Sequence, residues 1–296
     1  MIISWSNIFG LDLFISGGYG WTHYEAEDLN KFMVLLERQT NEGGFNPYQV
    51  QQFDGHWMQA WSLGVIKKPW KLAVEAEFWI ESFKQSEVAF DSGSGGREER
   101  LTCAHLADPA YQAGGPYGCI EAEEEFVFLP LMLQLSYNKG FFNRLFMDAG
   151  YGIGIMAGYA GISISTDYYG GSGMDDKVEF GIDPGVNLLH KFFLDFELRP
   201  LSWLGIQTRS GYRISKLNGF TLVDKKGDSQ LFNRMFNNPE EGDELYFESY
   251  GNTSLSEEIV IGKKTDAGRA TTLHRIEGDF TGWFVNARVN FYWRGL

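Results

Sequence analysis

The sequence predicts an all-β fold, an eight-stranded antiparallel up-and-down transmembrane β-barrel with long extracellular loops and a short helix in the first of them. Apolar and polar residues alternate over unusually long stretches, above all over 177–199, and the connections between such stretches alternate between long and short. A barrel with both termini on one side of a membrane has this rhythm, because its turns there are short and its opposite loops are long. A soluble sandwich has no reason to sort its connections by end.

The composition agrees with long strands. The chain has 296 residues, a net charge of −14, 36 Gly and 24 Phe, with few Pro. No run of about eighteen apolar residues is present, so a transmembrane helix is excluded. Residues 1–8 are too short, and lack the basic start, for a secretory signal, so for an exported protein we expect a mature form or an incomplete precursor.

The first half of the chain predicts strands one to four over 11–24, 56–66, 71–83 and 123–137, each with apolar residues on one face. Within the first long connection, residues 26–40 have helical spacing, with Leu29, Phe32, Met33 and Leu36 on one stripe. We expect that helix to pack on the barrel mouth, and a helix that binds a partner is the alternative.

The second half predicts strands five to eight over 145–165, 177–199, 204–216 and 281–294. Strand five places four glycines on its inward face, which suits a narrow, crowded interior. Strand seven has the weakest alternation. The long connections are 25–55, 84–122, 166–176 and 217–280, and the short ones are 67–70, 138–144 and 200–203.

Three segments carry a family resemblance: the glycine-rich Gly150–Gly161, the hairpin Glu197–Arg213 and the aromatic end Phe291–Trp293. With the alternating strands, they make the chain resemble the small eight-stranded bacterial outer-membrane β-barrels of the OmpA/OmpX/OmpW-like group. The resemblance covers the strands and none of the loops. It implies a multi-pass protein of the bacterial outer membrane with periplasmic termini. The chain departs from the family by continuing past its last aromatic residue to Leu296.

The inward face of the strands is predicted to hold charges of both signs. An eight-stranded barrel is only just wide enough for its own side chains, so we expect these charges to pair as a plug. A gated ion path or proton relay is the alternative. The predicted network consists of Asp12, Glu75, Glu77, Glu81, Asp148, Glu179, Asp183, Asp195, Glu197, Lys191, Arg199, Arg209, Arg213, Arg288 and Arg294.

The outward face is predicted to meet lipid and to carry aromatic anchors. These anchors are Trp21, Trp57, Trp61, Tyr151, Phe192, Phe196, Trp283 and Trp293. Cys103 and Cys119 share one Gly- and Pro-containing segment and predict a local disulfide in an oxidising compartment, with two free thiols as the alternative.

Catalysis and metal binding are not expected. His23 and His56 flank the first long loop, but no serine in a His-x-Ser arrangement accompanies either, so we expect packed rim histidines and no enzyme. A rim enzyme that modifies lipid is the alternative. No cofactor is expected, although the acidic segments 175–176 and 240–244 offer weak Ca²⁺ binding as an alternative to plain solvated loops.

The negative charge lies in the long loops, which predicts their role. Segments 25–55, 87–122 and 217–280 together account for a net −13 of the chain's −14. Such a surface repels nucleic acid and favours basic or Ca²⁺-linked partners. We expect a barrel that anchors acidic loops for adhesion or for docking another envelope or extracellular protein. A narrow channel for small or hydrophobic solutes and a soluble lipocalin-like barrel are the alternatives.

Overall fold

The computed structural model describes residues 11–24, 26–42, 55–91, 117–168, 174–182, 187–217, 219–226, 238–249, 257–262 and 272–294. These ranges contain one α-helix and fourteen β-strands. In chain order they are β1 (Asp12–Thr22), α1 (Glu27–Glu42), β2 (His56–Lys67), β3 (Trp70–Asp91), β4 (Tyr117–Phe141), β5 (Leu145–Tyr168), β6 (Met174–Ile182), β7 (Leu188–Leu201), β8 (Leu204–Leu217), β9 (Phe220–Lys226), β10 (Glu244–Ser249), β11 (Glu257–Gly262), β12 (Thr272–Arg275), β13 (Gly278–Asp279) and β14 (Gly282–Arg294).

Eight of the strands form a closed antiparallel barrel, which confirms the predicted fold class. The order around the barrel is β1, β2, β3, β4, β5, β7, β8 and β14. Closure is made by β1 and β14, which pair from Asp12 opposite Arg294 to Thr22 opposite Phe284. Closure leaves these strands without free edges, so every barrel strand has a neighbour on both sides.

The two ends of the barrel differ. At one end, hereafter the turn end, three short turns join β2 to β3, β4 to β5 and β7 to β8, and Asp12 pairs with Arg294. The opposite end, hereafter the loop end, carries α1 and the strands that are not part of the barrel. The short connections therefore lie together, as the alternating connection lengths predict.

The predicted sixth strand, 177–199, is two strands. β6 pairs with Tyr159–Thr166 of β5, whereas β7 pairs with Leu145–Ile155 of the same strand. Between these two pairings β5 advances four residues, from Ile155 to Tyr159. The segment paired with it spans seven residues over the same distance, from Gly181 to Leu188. The phase changes accordingly: Val178 and Phe180 of β6 are buried, although their even positions match the exposed residues of β7.

The loop end is a second body of sheet and helix. β6 leaves the barrel to pair with β9, β9 meets β10, and β10 pairs with both β11 and β12. Strands β3 and β4 also extend into the predicted loop 84–122 and pair as far as Asp91 and Tyr117. The segment 217–280, predicted to be a polar insertion, therefore contains five strands.

The apolar core lies at the loop end. Helix α1 buries its predicted stripe there, together with residues from the ends of the barrel strands and from β9 to β11. Among its largest buried members are Phe32, Trp79, Phe247 and Phe280. The helix thus covers the barrel mouth, as its spacing predicts. A separate small cluster at the turn end comprises Phe14, Ile66, Ala73 and Tyr292.

Candidate functional site

The outer face of the barrel is apolar. The eight predicted anchors lie on it with exposed fractions from 37% for Trp21 to 65% for Trp283. Trp57 packs against Tyr19 and Trp21, at ring-centroid distances of 5.1 and 5.4 Å. Exposed aliphatic residues lie on the same face, among them Leu131, Leu133 and Leu135 of β4. Such a surface is too extensive for an ordinary solvent-exposed face of a monomer.

One polar residue on that face is His190 of β7, which interrupts the otherwise apolar row of its strand, and Gln59, Thr208 and Ser210 are also exposed on the outer face. The Nδ1 atom of His190 lies 2.6 Å from the hydroxyl oxygen of Tyr151 on the neighbouring strand, in hydrogen-bond contact. The two rings also stack, with centroids 6.0 Å apart. The imidazole therefore has a polar partner within the apolar surface.

Glu75 is the centre of the interior charge network. Its carboxylate accepts hydrogen bonds from Lys191 at 2.7 Å, from Arg209 at 2.8 Å and from Arg288. Arg209 also holds Asp195 through two N–H donors, at 2.6 and 2.8 Å. All these side chains are at least 96% buried. Close pairing offsets the large cost of removing the charges from water.

A second layer lies nearer the loop end, around Glu77. Its carboxylate pairs with Lys191 and, at 2.7 Å, with Arg213. The indole N–H of Trp79 donates to the same carboxylate at 3.0 Å. The guanidinium of Arg213 lies over the Trp79 ring, 4.1 Å from its centroid, in a cation–π contact.

A third layer lies at the turn end. Asp148 binds Lys71, at 3.3 Å, and Asn138. A second group at the turn end surrounds Glu197. The Glu197 carboxylate accepts hydrogen bonds from Arg199 at 2.8 Å, from Asn290 at 3.0 Å and from the Tyr292 hydroxyl.

The structure places most of the predicted network in these three layers of contacts. Lys71 was not among the predicted members, although it is in phase with Glu75 and Glu77 on β3. Asp12 and Glu179 are only partly buried. Asp183 and the side chains of Glu81 and Arg294 lie outside the described residues. The charged side chains buried in the closed part of the barrel are Lys71, Lys191, Arg199, Arg209, Arg213, Arg288, Glu75, Glu77, Asp148, Asp195 and Glu197.

The glycines on the inward face of β5 make room for this network. A Cβ atom at Gly150 would overlap the Phe193 ring and the Ser136 side chain, and one at Gly154 would overlap the backbone of β4. The Phe193 ring, in turn, lies 3.9 Å from the guanidinium carbon of Arg209. The crowded interior expected from the glycine pattern is therefore present.

Aromatic rings fill the interior at the loop end. Phe280 lies 4.6 Å from Phe128 and 5.0 Å from Tyr24, between ring centroids. His56 is buried among them and shares a 3.0 Å hydrogen bond with the Tyr24 hydroxyl. The His56 imidazole is therefore packed among aromatic side chains. His23 is exposed instead, so the two histidines flanking the first long loop have different surroundings.

Four described glutamates are exposed on the solvent side of the loop end, where Lys216 is exposed as well. These glutamates are Glu27, Glu240, Glu241 and Glu277. Glu244, which is partly exposed, is held by Arg275, at 2.9 Å, and by the Tyr246 hydroxyl, which donates to it. Burial and the Glu244 carboxylate raise the pKa of Tyr246 to about 12.

The remaining predicted sites receive no structural support. Cys103 and the side chain of Cys119 lie outside the described residues, so the disulfide stays a prediction. No group of three or more His, Cys, Asp or Glu residues in the described ranges is arranged to hold a metal ion. None of the described helical residues forms a helix long and apolar enough to cross a membrane.

The comparisons with known proteins give no identification. A scan against protein-family models finds no match, and no curated protein matches the chain.

Proposed function

We propose that the chain is an integral outer-membrane β-barrel that anchors an acidic docking surface. This surface, hereafter the acidic face, comprises the exposed Glu27, Glu240, Glu241 and Glu277 at the loop end. The outer apolar face meets lipid, the turn end faces the periplasm, and the acidic face binds another envelope or extracellular protein. The resemblance to OmpA/OmpX/OmpW-like barrels is part of the same proposal.

The observation that carries the membrane part is an inversion along β4. Near the loop end, Glu123 is exposed while Phe126 and Phe128 are buried on the inward side, together with Glu124. Toward the turn end, Leu133 and Leu135 are exposed and the residues between and after them, Gln134, Ser136 and Asn138, are buried. A polar interior inside an apolar exterior is the pattern of a barrel in lipid, because a barrel in water places its apolar side chains inside.

The docking part rests on the size and charge of the loop end. Strands β9, β10 and β11 share an apolar core with helix α1, and together they exceed what is needed to close an eight-stranded barrel. The long connections carry nearly all the net negative charge of the chain. Such a charged surface attracts partners of opposite sign and speeds their association.

Two features of the interior argue against conduction. The charged side chains pair with one another, and Trp79, Phe128 and Phe280 fill the loop end. We therefore expect the purified protein, reconstituted in a planar lipid bilayer, to show no discrete conductance. Reproducible single-channel steps would replace the docking proposal with the narrow channel.

The docking proposal is tested by photo-crosslinking in the cells that make the protein. A photoreactive residue replaces Glu241 on the acidic face, and the control variant carries it in place of Phe142, which is 88% exposed at the turn end. We expect a protein adduct of discrete mass from position 241 and a different pattern from position 142. The adduct should weaken when Glu27, Glu240 and Glu277 are changed to Gln. Absence of any adduct from position 241 would contradict docking by this face.

A further inference from the structure

A small polar cavity lies inside the barrel, between the Glu75 layer and the turn end. It is lined by Phe14, Ser16, Ser62, Lys71, Ala73, Gln134, Ser136, Gln207 and Arg209. The cavity is large enough for about one water molecule. The lining residues come from β1, β2, β3, β4 and β8, so the cavity sits across the barrel interior and not at its surface.

Two amide groups point unused N–H donors at this region, and their orientation is fixed by their partners. Gln134 Oε1 accepts from Arg209 at 2.8 Å, and Arg209 has only donors. Gln207 Oε1 accepts from Asn290 Nδ2 at 2.6 Å, and that nitrogen also donates to the Glu197 carboxylate. The Nε2 atoms of both glutamines are therefore the free ends, and both are buried without a hydrogen-bond partner.

Ser16 and Lys71 complete a set of donors. Ser16 Oγ is likewise buried with no hydrogen-bond partner. Lys71 is 96% buried and makes its ion pair with Asp148 at 3.3 Å, and its ammonium group lies 4.4 Å from the Phe14 ring centroid. Unpaired buried donors of this kind are costly, which indicates that an acceptor occupies the space between them.

The charge balance favours an anion as that acceptor. The closed part of the barrel buries six cationic side chains and five carboxylates among the described residues, a formal excess of one positive charge. A single water molecule could donate to the serine hydroxyl oxygens at the cavity, but it would leave the excess positive charge uncompensated. A small anion accepts from all the free donors and offsets the excess charge.

We propose that this cavity binds one small monovalent anion, of which chloride is the abundant example. Ser16 Oγ, Gln134 Nε2, Gln207 Nε2 and the Lys71 ammonium group donate to it. The anion then completes the interior network as a structural ligand. This site is independent of the acidic face and of any partner bound there.

The first test uses the full chain, folded in detergent micelles. Its thermal unfolding midpoint is measured in sodium chloride, sodium bromide and sodium gluconate at equal ionic strength, because gluconate is too large for the cavity. We expect chloride and bromide to raise the midpoint, by roughly 3 °C when the anion is tenfold above its Kd. Equal midpoints in the three salts would overturn the proposal and leave a water molecule in the cavity. Crystals grown in bromide should show an anomalous peak between Ser16 and Gln207. Peaks at the protein surface alone would mean an adventitious ion only.

Three variants assign the effect to the cavity. Gln207→Glu keeps an acceptor for Asn290 but places a carboxylate at the site, so the chloride dependence should be lost. Ser16→Ala should raise the chloride Kd on the order of tenfold, since it removes one donor to a charged ligand. The matched control is Ser215→Ala, because Ser215 Oγ is also buried without a partner but does not line the cavity. Equal chloride responses in Ser16→Ala and Ser215→Ala would place the anion elsewhere.

Discussion

Strands β3 and β4 run from the closed barrel into the loop end, and the polarity of their two faces changes on the way. Along β3, Glu75 and Glu77 point into the charge network, and Trp79, two residues further, points into the apolar core. Along β4 the inward residues change from Phe126 and Phe128 to polar groups, while the outward residues change from acidic to leucine. Burial therefore does not select apolar residues by itself. The closed barrel buries a charge network, whereas the loop end buries an apolar core.

The largest expected effect comes from removing a buried charge from the interior network of the closed barrel. Glu75→Gln removes the negative charge with which Lys191, Arg209 and Arg288 all pair. Removing one partner from buried ion pairs costs about 3–5 kcal/mol. We expect a lower urea midpoint and a smaller fraction of the faster-migrating, unboiled band on gels. Glu241→Gln, an exposed acid at the loop end, should change stability by less than about 0.5 kcal/mol. An unchanged midpoint for Glu75→Gln would mean that the interior charges are solvated.

Phe247→Ala on β10 weakens the apolar core of the loop end. Phe247 is 98% buried in the loop-end core, and Lys31 of α1 lies 4.5 Å from its ring centroid. Truncating a buried phenylalanine costs about 3–5 kcal/mol. We expect faster hydrogen exchange in α1 and β10 to β12, with the barrel and its gel migration unchanged. Val223→Ala, at a side chain 55% exposed on β9, is the control. Loss of the barrel in Phe247→Ala would show that the barrel and the loop end fold as one unit.

A substitution on the outer face should have a smaller effect, but that effect distinguishes a barrel in lipid from a barrel in water. Leu133→Arg introduces a charge at a side chain that is 51% exposed. In water such a change is nearly neutral, whereas arginine on the lipid side of a barrel costs up to about 2–4 kcal/mol at the bilayer midplane. We expect reduced folding yield into phospholipid vesicles. Val34→Arg on the exposed side of α1, 45% exposed, should fold normally. Equal yields for both variants would contradict a lipid-facing barrel.

The barrel was predictable from sequence because its polarity alternates in one phase over each strand. The interior network followed from that phase, since Glu75, Asp195 and Arg209 occupy the polar face of their strands. The same phase includes Lys71, whose importance depends on the cross-barrel contact with Asp148. A contact between β3 and β5 across the interior cannot be inferred from alternation within one strand.

The loop end was less predictable for a physical reason. Its strands are short, with six residues in both β10 and β11, so each offers few periods of alternation. The break between β6 and β7 was concealed because Val178 and Phe180 stay in phase with the outward row of β7 in the sequence. They are apolar because they face a core, and the row in β7 is apolar because it is on the outer face. Sequence alternation cannot distinguish these two causes.

The smallest expected effect is a pH dependence confined to the loop end. The pKa of Tyr246 is raised to about 12, above the value of about 10 for an unfolded tyrosine, by burial and by the Glu244 carboxylate. Folding therefore favours the protonated hydroxyl. This contribution to stability is fully present below pH 10 and is lost as the pH rises through about 12. Tyrosinate absorbance, compared between the native chain and Tyr246→Phe, isolates the titration of this residue. Glu244→Gln should lower the Tyr246 pKa because it removes the neighbouring negative charge. A Tyr246 that titrates near pH 10 in the native chain would show that the hydroxyl is solvated and that Glu244 does not hold it.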